Sequence, residues 1–165
     1  MKHLLSIFLV FPLLLSSHTI RGKVVKVQDG DTVTIVDSTN TQYKIRLDEI
    51  DAPESGQAFG SKSKQFLSDM IFGKTVIVEY SKTDRYKRIL GTIYHNDMNV
   101  NEKMVGSGYA WKYYYNKSKH LQKIQEEAKL NKRGLWVDKN PIDPYHFRKS
   151  KNKQSQLKHI NNMLK

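Results

Sequence analysis

Three short stretches of this chain concentrate side chains able to do chemistry. Asp29-Gly30-Asp31-Thr32 sets two carboxylates two residues apart in a turn leading into a strand. Ile45-Arg46-Leu47-Asp48-Glu49-Ile50-Asp51-Ala52-Pro53-Glu54 ends a strand near Asp51 and leaves Glu54 beside a proline turn. Asp84-Arg85-Tyr86-Lys87-Arg88 packs three cations into one turn between strands. A hard divalent cation takes oxygen ligands, typically carboxylates with backbone carbonyls and water. Asp31 and Asp51 provide two of them if their strand ends converge. Such an ion neutralises a phosphate oxygen and orients the attacked group. Glu54, a carboxylate beyond the ion's own ligands, suits proton removal from an attacking water. Arg46 and Arg88 suit bidentate phosphate binding and the charge that builds during displacement. The combined inventory is that of phosphodiester hydrolysis. Taken singly, each stretch has a plainer explanation: Asp-Gly makes a hairpin turn, Asp-Ala-Pro-Glu caps a helix, and a basic turn is solvated.

These groups meet only if the elements between them bring them together. Lys23–Val27, Thr32–Val36 and Gln42–Ile50 are runs rich in Val, Ile, Thr and Tyr, separated by Asp29-Gly30 and by Asp37-Ser38-Thr39-Asn40. They read as strands joined by turns. In the third run Tyr43, Ile45 and Leu47 alternate with Lys44, Arg46 and Asp48, so an apolar face opposes one that projects Arg46. Ser61–Phe72 carries Phe66, Leu67, Met70 and Ile71 at helical spacing, and Gly73 closes it. Thr75–Tyr80 and Ile89–Tyr94 are further strands, Val100–Ser107 is a short helix, and Leu121, Ile124 and Ala128 mark another that ends near Gly134. Five short strands interleaved with helices predict an α+β fold that is mainly β: a five-stranded OB-fold barrel with about three helices outside. A simple α+β sandwich is the rival.

A length of 165 residues suits one domain with one sizeable core. Two Trp, nine Tyr and six Phe argue against disorder. The absence of cysteine excludes a disulfide scaffold, a thiolate zinc site and cysteine nucleophilic catalysis. The six histidines show no metal-ligand spacing. A formal net charge of +12 favours a polyanionic partner, either nucleic acid or an acidic lipid surface.

Both ends differ from the body. Lys2 and His3 precede an apolar run, Leu4–Leu15, which is followed by Ser16-Ser17. This pattern predicts a secretory signal peptide over residues 1–19, cut somewhere between Ser16 and Ile20. An uncleaved anchor or a core segment is the alternative. Export, to the periplasm or beyond the cell, follows from the first reading, with membrane contact only in transit. Residues 20–147 form the expected domain. Residues 148–165 form a basic tail with six cations and no acid. Leu157, Ile160 and Leu164 allow an amphipathic helix there, with a frayed solvated tail the equal alternative.

The order and spacing of several segments resemble the thermonuclease family, whose unit is the staphylococcal-nuclease-like domain. The resembling segments are Val27–Thr32, Ile45–Leu47 through Asp51–Glu54, Gln57–Gly60, Asp84–Arg88, Val100-Asn101 through Gly108–Trp111, and Arg133–Trp136. The match spans Gly22 to Tyr145. The resemblance implies an OB barrel with three helices, and Ca2+ held by Asp31, Asp51 and the main-chain carbonyl of Ala52. Ala52 stands where the best-known members carry Thr, a change that a main-chain ligand tolerates. Arg46, Glu54 and Arg88 fall on the family's catalytic positions. The implied activity is endonucleolytic hydrolysis of DNA and RNA with little sequence specificity, leaving 3′-phosphate ends. Tyr113, Tyr114 and Tyr115 lie where the family contacts nucleotides. Tyr113 and Tyr115 are the expected pair, in a register open by one residue and with core packing the alternative for at least one tyrosine. Stacking on a base face suits a nonspecific enzyme. Arg85 and Tyr86 are candidates for phosphate contacts, with solvated turn residues the alternative. Lys87 replaces a glycine common in the family, so a left-handed backbone there implies strain of roughly 1–2 kcal/mol and a turn that could misplace Arg88. No protein partner is implied and a monomer is expected. A catalytically inactive OB-fold module that binds nucleic acid is the second reading, and a membrane-surface protein using the basic tail is the third.

Overall fold

The computed structural model describes residues 18–163. The leader expected over residues 1–19 lies almost wholly outside this range. The first three strands form a meander: β1 (His18–Val27), β2 (Thr32–Val36) and β3 (Gln42–Leu47) pair antiparallel in sequence. β1 also pairs with β5 (Thr75–Thr83), and β5 with β6 (Ile89–His95). A parallel pairing of β3 with β6 closes the ring, placing Ile45 opposite Ile89 and Arg46 opposite Leu90. The result is the five-stranded barrel the sequence predicts. Closure requires curvature, and register shifts at Val24/Lys26 in β1 and Tyr80/Lys82 in β5 provide bends on two strands.

The third strand is shorter than its pattern suggests. Glu49 sits at φ 65°, which ends the ladder at Leu47. Ile50–Asp51 forms a separate short strand, β4, paired with β8 (Trp111–Lys112). A hairpin through Asn96-Asp97 adds the two-residue β7 (Met98–Asn99) to β6. Outside the barrel lie α1 (Gly60–Ile71), α2 (Val100–Gly106), α3 (Lys119–Leu130) and α4 (Pro144–Met163), with a 3-10 turn at Gly134–Val137. Among the described residues the helices thus number four, one more than expected. The fourth begins at Pro144, so the predicted boundary between domain and tail falls inside it.

Apolar residues of alternating strand positions, among them Val24, Val33, Ile35, Ile45, Leu47, Val78 and Ile93, fill the barrel. Leu67 and Ile71 of α1 and Met104 and Val105 of α2 belong to the same core. Polar side chains are built in beside it, Asn101 among them. Buried Asn101 accepts from Ile93 N–H and donates to the carbonyls of Asp48 and Gly91, tying α2 to β6 and to the turn that leads into β4. Gly30 permits a close approach on the other side of the site. A Cβ there would lie 1.9 Å from Ser63 Oγ and 2.7 Å from Ala52 Cβ, so only glycine lets the Asp29–Asp31 turn lie against α1 and Ala52.

Candidate active site

The Asp29–Asp31 turn and the β3–β4 turn meet beside the barrel's closing seam. Asp31 N–H donates to Asp29 Oδ1, and Leu47 N–H donates to the Asp31 carbonyl, which locks the first turn onto β3. Asp31 Oδ1 accepts from Thr32 Oγ1 and Oδ2 accepts from Ala52 N–H at 2.8 Å. Arg46 reaches both turns. Its Nη1 donates to the carbonyls of Leu47 and Ile50, and its Nη2 lies 2.9 Å from Asp51 Oδ1 and 3.2 Å from Asp31 Oδ2. Asp31, Asp51 and Arg46, separate in the chain, therefore occupy one spot at the floor of a cleft of about 850 Å3.

Burial pushes the Asp31 carboxyl up to about 7; the neighbouring Arg46 works against this and Asp29 and Asp51 add to it. A buried carboxylate short of positive charge gains from a further cation beside it. Among the described residues no group of three or more His, Asp or Glu converges as a metal cage. Two carboxylates, with main-chain carbonyls and water to complete the shell, match a hard divalent cation rather than a soft one. The residues present fit such an ion.

The other expected residues line the same cleft. Glu54 lies at its edge, half exposed. Arg88 is clamped through Nε by Asp84 Oδ2 at 2.8 Å, and its terminal nitrogens have no hydrogen-bond partner among the described residues. Asp84 Oδ1 accepts from the N–H groups of Tyr86 and Arg88, giving the turn its shape. Lys87 stands at φ 60°, so the turn keeps the left-handed position and the lysine carries its strain. Arg85 and Arg88 flank the largely exposed ring of Tyr86, at 4.8 and 5.7 Å from its centre. Tyr113 and Tyr115 line the cleft. Tyr114 instead stacks on Tyr145, with ring centres 4.5 Å apart. Ala52 is buried beneath Asp31, to which its N–H is bonded.

One site residue escaped the sequence reading. Arg148, assigned to the basic tail, reaches into the cleft from α4. Its Nη1 lies 2.7 Å from Glu54 Oε1 and 3.1 Å from Asp51 Oδ1, and its Nη2 lies 2.8 Å from Asp51 Oδ2. A signal was present. Asp143-Pro144 is a helix start, with Asp143 Oδ1 accepting from His146 N–H and proline at the first helical position. A helix begun there places Arg148 just over one turn inside.

Comparison with known proteins shows the family of the chain. The family described as Staphylococcal nuclease homologue matches residues 44–138. An "Uncharacterized endonuclease" of Haemophilus influenzae is 43% identical over 150 residues, covering 88% of this chain and 84% of its own. An Escherichia coli protein of the same description is 47% identical over 134 residues, covering 80% and 87%. A "Micrococcal nuclease" of Shigella flexneri is 41% identical over 142 residues, covering 79% and 81%.

Proposed function

Because this chain belongs to the staphylococcal nuclease family and is a phosphodiester hydrolase acting on nucleic acid, we propose that it is an exported, Ca2+-dependent endonuclease. It cleaves DNA and RNA with little sequence preference and leaves 3′-phosphate ends. The observation that carries the reading is the meeting of Asp31 and Asp51 on one nitrogen of Arg46, with Glu54 and Arg88 lining the same cleft. Export rests on the basic, apolar and small-residue succession of residues 1–19.

Asp31, Asp51 and the Ala52 carbonyl would hold the cation, which would supply charge to offset that on a phosphate oxygen. The Glu54 carboxylate takes the proton from the attacking water as the new P–O bond forms. Arg88, fixed at Nε by Asp84, presents its free terminal nitrogens to the phosphate oxygens on which charge builds. Arg46, expected at a catalytic position, keeps the two aspartates together through Nη1 and Nη2 in the ligand-free protein. The P–O5′ bond breaks, the phosphate stays on the 3′ side, and the leaving oxygen takes a proton from solvent. Tyr113 and Tyr115 offer ring faces to the bases.

The test is digestion of plasmid, single-stranded DNA and RNA by the mature protein with Ca2+ and with a chelator, followed by end-group analysis. Cation-dependent nicking with 3′-phosphate ends is expected. Undiminished cutting under chelation overturns the metal assignment. Salt-sensitive binding without any cleavage marks the inactive binding module instead.

A further inference from the structure

Arg148 occupies the position that both catalysis and cation binding need. Its guanidinium engages both oxygens of Asp51 and one of Glu54, so the proposed ligand and the proposed base are both paired to the same side chain. Asp51 Oδ1 carries Arg46 as well, leaving that carboxylate with three charged donors. The helix that delivers Arg148 is docked, not loose. Tyr145 stacks on Tyr114 and its hydroxyl lies 3.0 Å from that of Tyr115, while Gln57 Nε2 donates to the Ile142 carbonyl. Tyr115 is itself a wall of the cleft.

Two guanidiniums and a dication do not share the Asp51 carboxylate without repulsion, and Arg148, 40% exposed against 14% for Arg46, is the one whose hold weakens when a cation arrives. The nearest new partner of opposite charge is then the phosphate of the bound strand, which the planar fork of arginine fits. We propose that Arg148 is a further substrate-binding residue: it rests on Asp51 and Glu54 in the ligand-free protein and transfers to the substrate phosphate when cation and nucleic acid bind. The first half of α4 is then part of the active site, and Arg148 exerts opposite effects on the two ligands. It opposes the cation and favours the strand. This inference rests on the Ca2+-dependent nuclease reading.

The experiment compares the full mature protein with Arg148→Ala and Arg148→Lys variants whose folding is checked by circular dichroism and thermal melting. Titration calorimetry with Ca2+ alone measures the first half, and steady-state cleavage of a short single-stranded DNA measures the second. In Arg148→Ala, Ca2+ affinity is expected to rise about fivefold and KM to rise about tenfold or more. Arg148→Lys retains the charge without the fork and falls between the two. A support role alone weakens both ligands, so parallel losses overturn the proposal, as does an unchanged value for either ligand. If the wild-type protein neither binds Ca2+ nor cleaves, the functional reading itself fails. If it does both and the variants match it, only the role of Arg148 fails.

Discussion

Asp31 shows what the site costs the fold. Its carboxyl is raised by burial to about 7, against an ordinary value near ~3.9, so folding favours the protonated form. The contribution to stability is full below about pH 4 and is lost as pH rises through about 7. Ligand-free protein is therefore expected to lose stability across that window. Asp31→Asn removes the loss and is expected to gain on the order of 1 kcal/mol at pH 8 while losing cation binding. Denaturant melts at several pH values, paired with Ca2+ titrations, check both. The reacting groups answer to kinetics instead. Glu54→Gln is expected to lower kcat about 10²–10⁴-fold, and Arg88→Ala about 10²–10³-fold. Full activity in either variant removes that residue from the mechanism.

At the scale of elements, two short pieces position most of the chemistry. The Asp84–Arg88 turn holds Arg88 by the Asp84 carboxylate. Burial raises the Asp84 carboxyl, but hydrogen bonds from the Arg88 N–H and guanidinium and from Tyr86 N–H outweigh it and hold it below the ordinary value. Lys87 is left-handed inside this frame. Lys87→Gly relieves strain at some cost in chain entropy, and a net gain of about 1 kcal/mol is expected with kcat unchanged. A destabilised glycine variant in chemical denaturation contradicts this. The second piece is Asn101, which ties α2, β6 and the turn into β4. Asn101→Ala leaves the buried Ile93 N–H without its acceptor, and a loss of about 2–3 kcal/mol is expected. Hydrogen exchange at Ile93 and Asp48 shows where the seam opens.

For the whole molecule, the barrel's closure and the full chain's positive net charge of +12 act together. Closure gathers the anionic floor of the cleft, and Lys82, Arg85, Arg88 and Arg148 line the same cleft. Strand binding releases counterions from the nucleic acid. Accordingly KM is expected to rise about tenfold between about 50 and 200 mM salt, with a smaller change in kcat. A salt-independent KM argues against phosphate contacts as the main grip. Among the described residues no helix is long and apolar enough to cross a membrane.

The five barrel strands and the apolar faces of α1, α2 and α3 were legible in the sequence because each depends on neighbours a few residues away, and Asp31, Arg46, Asp51, Glu54 and Arg88 stood out as candidates by residue type and by resemblance. Turn chemistry, two-residue alternation and helical spacing are local forces, written where they act. Glu49 escaped because a left-handed glutamate has no compositional mark. Arg148 escaped because its partners, Asp51 and Glu54, lie 97 and 94 residues away. A basic stretch at a chain end looks solvated until something holds it. Which tyrosine faces the cleft, how Arg46 spends its donors, and what Arg148 reaches were all decided by tertiary structure. They depend on the β3–β6 closure and the docking of α4, contacts between segments whose separation no local pattern encodes.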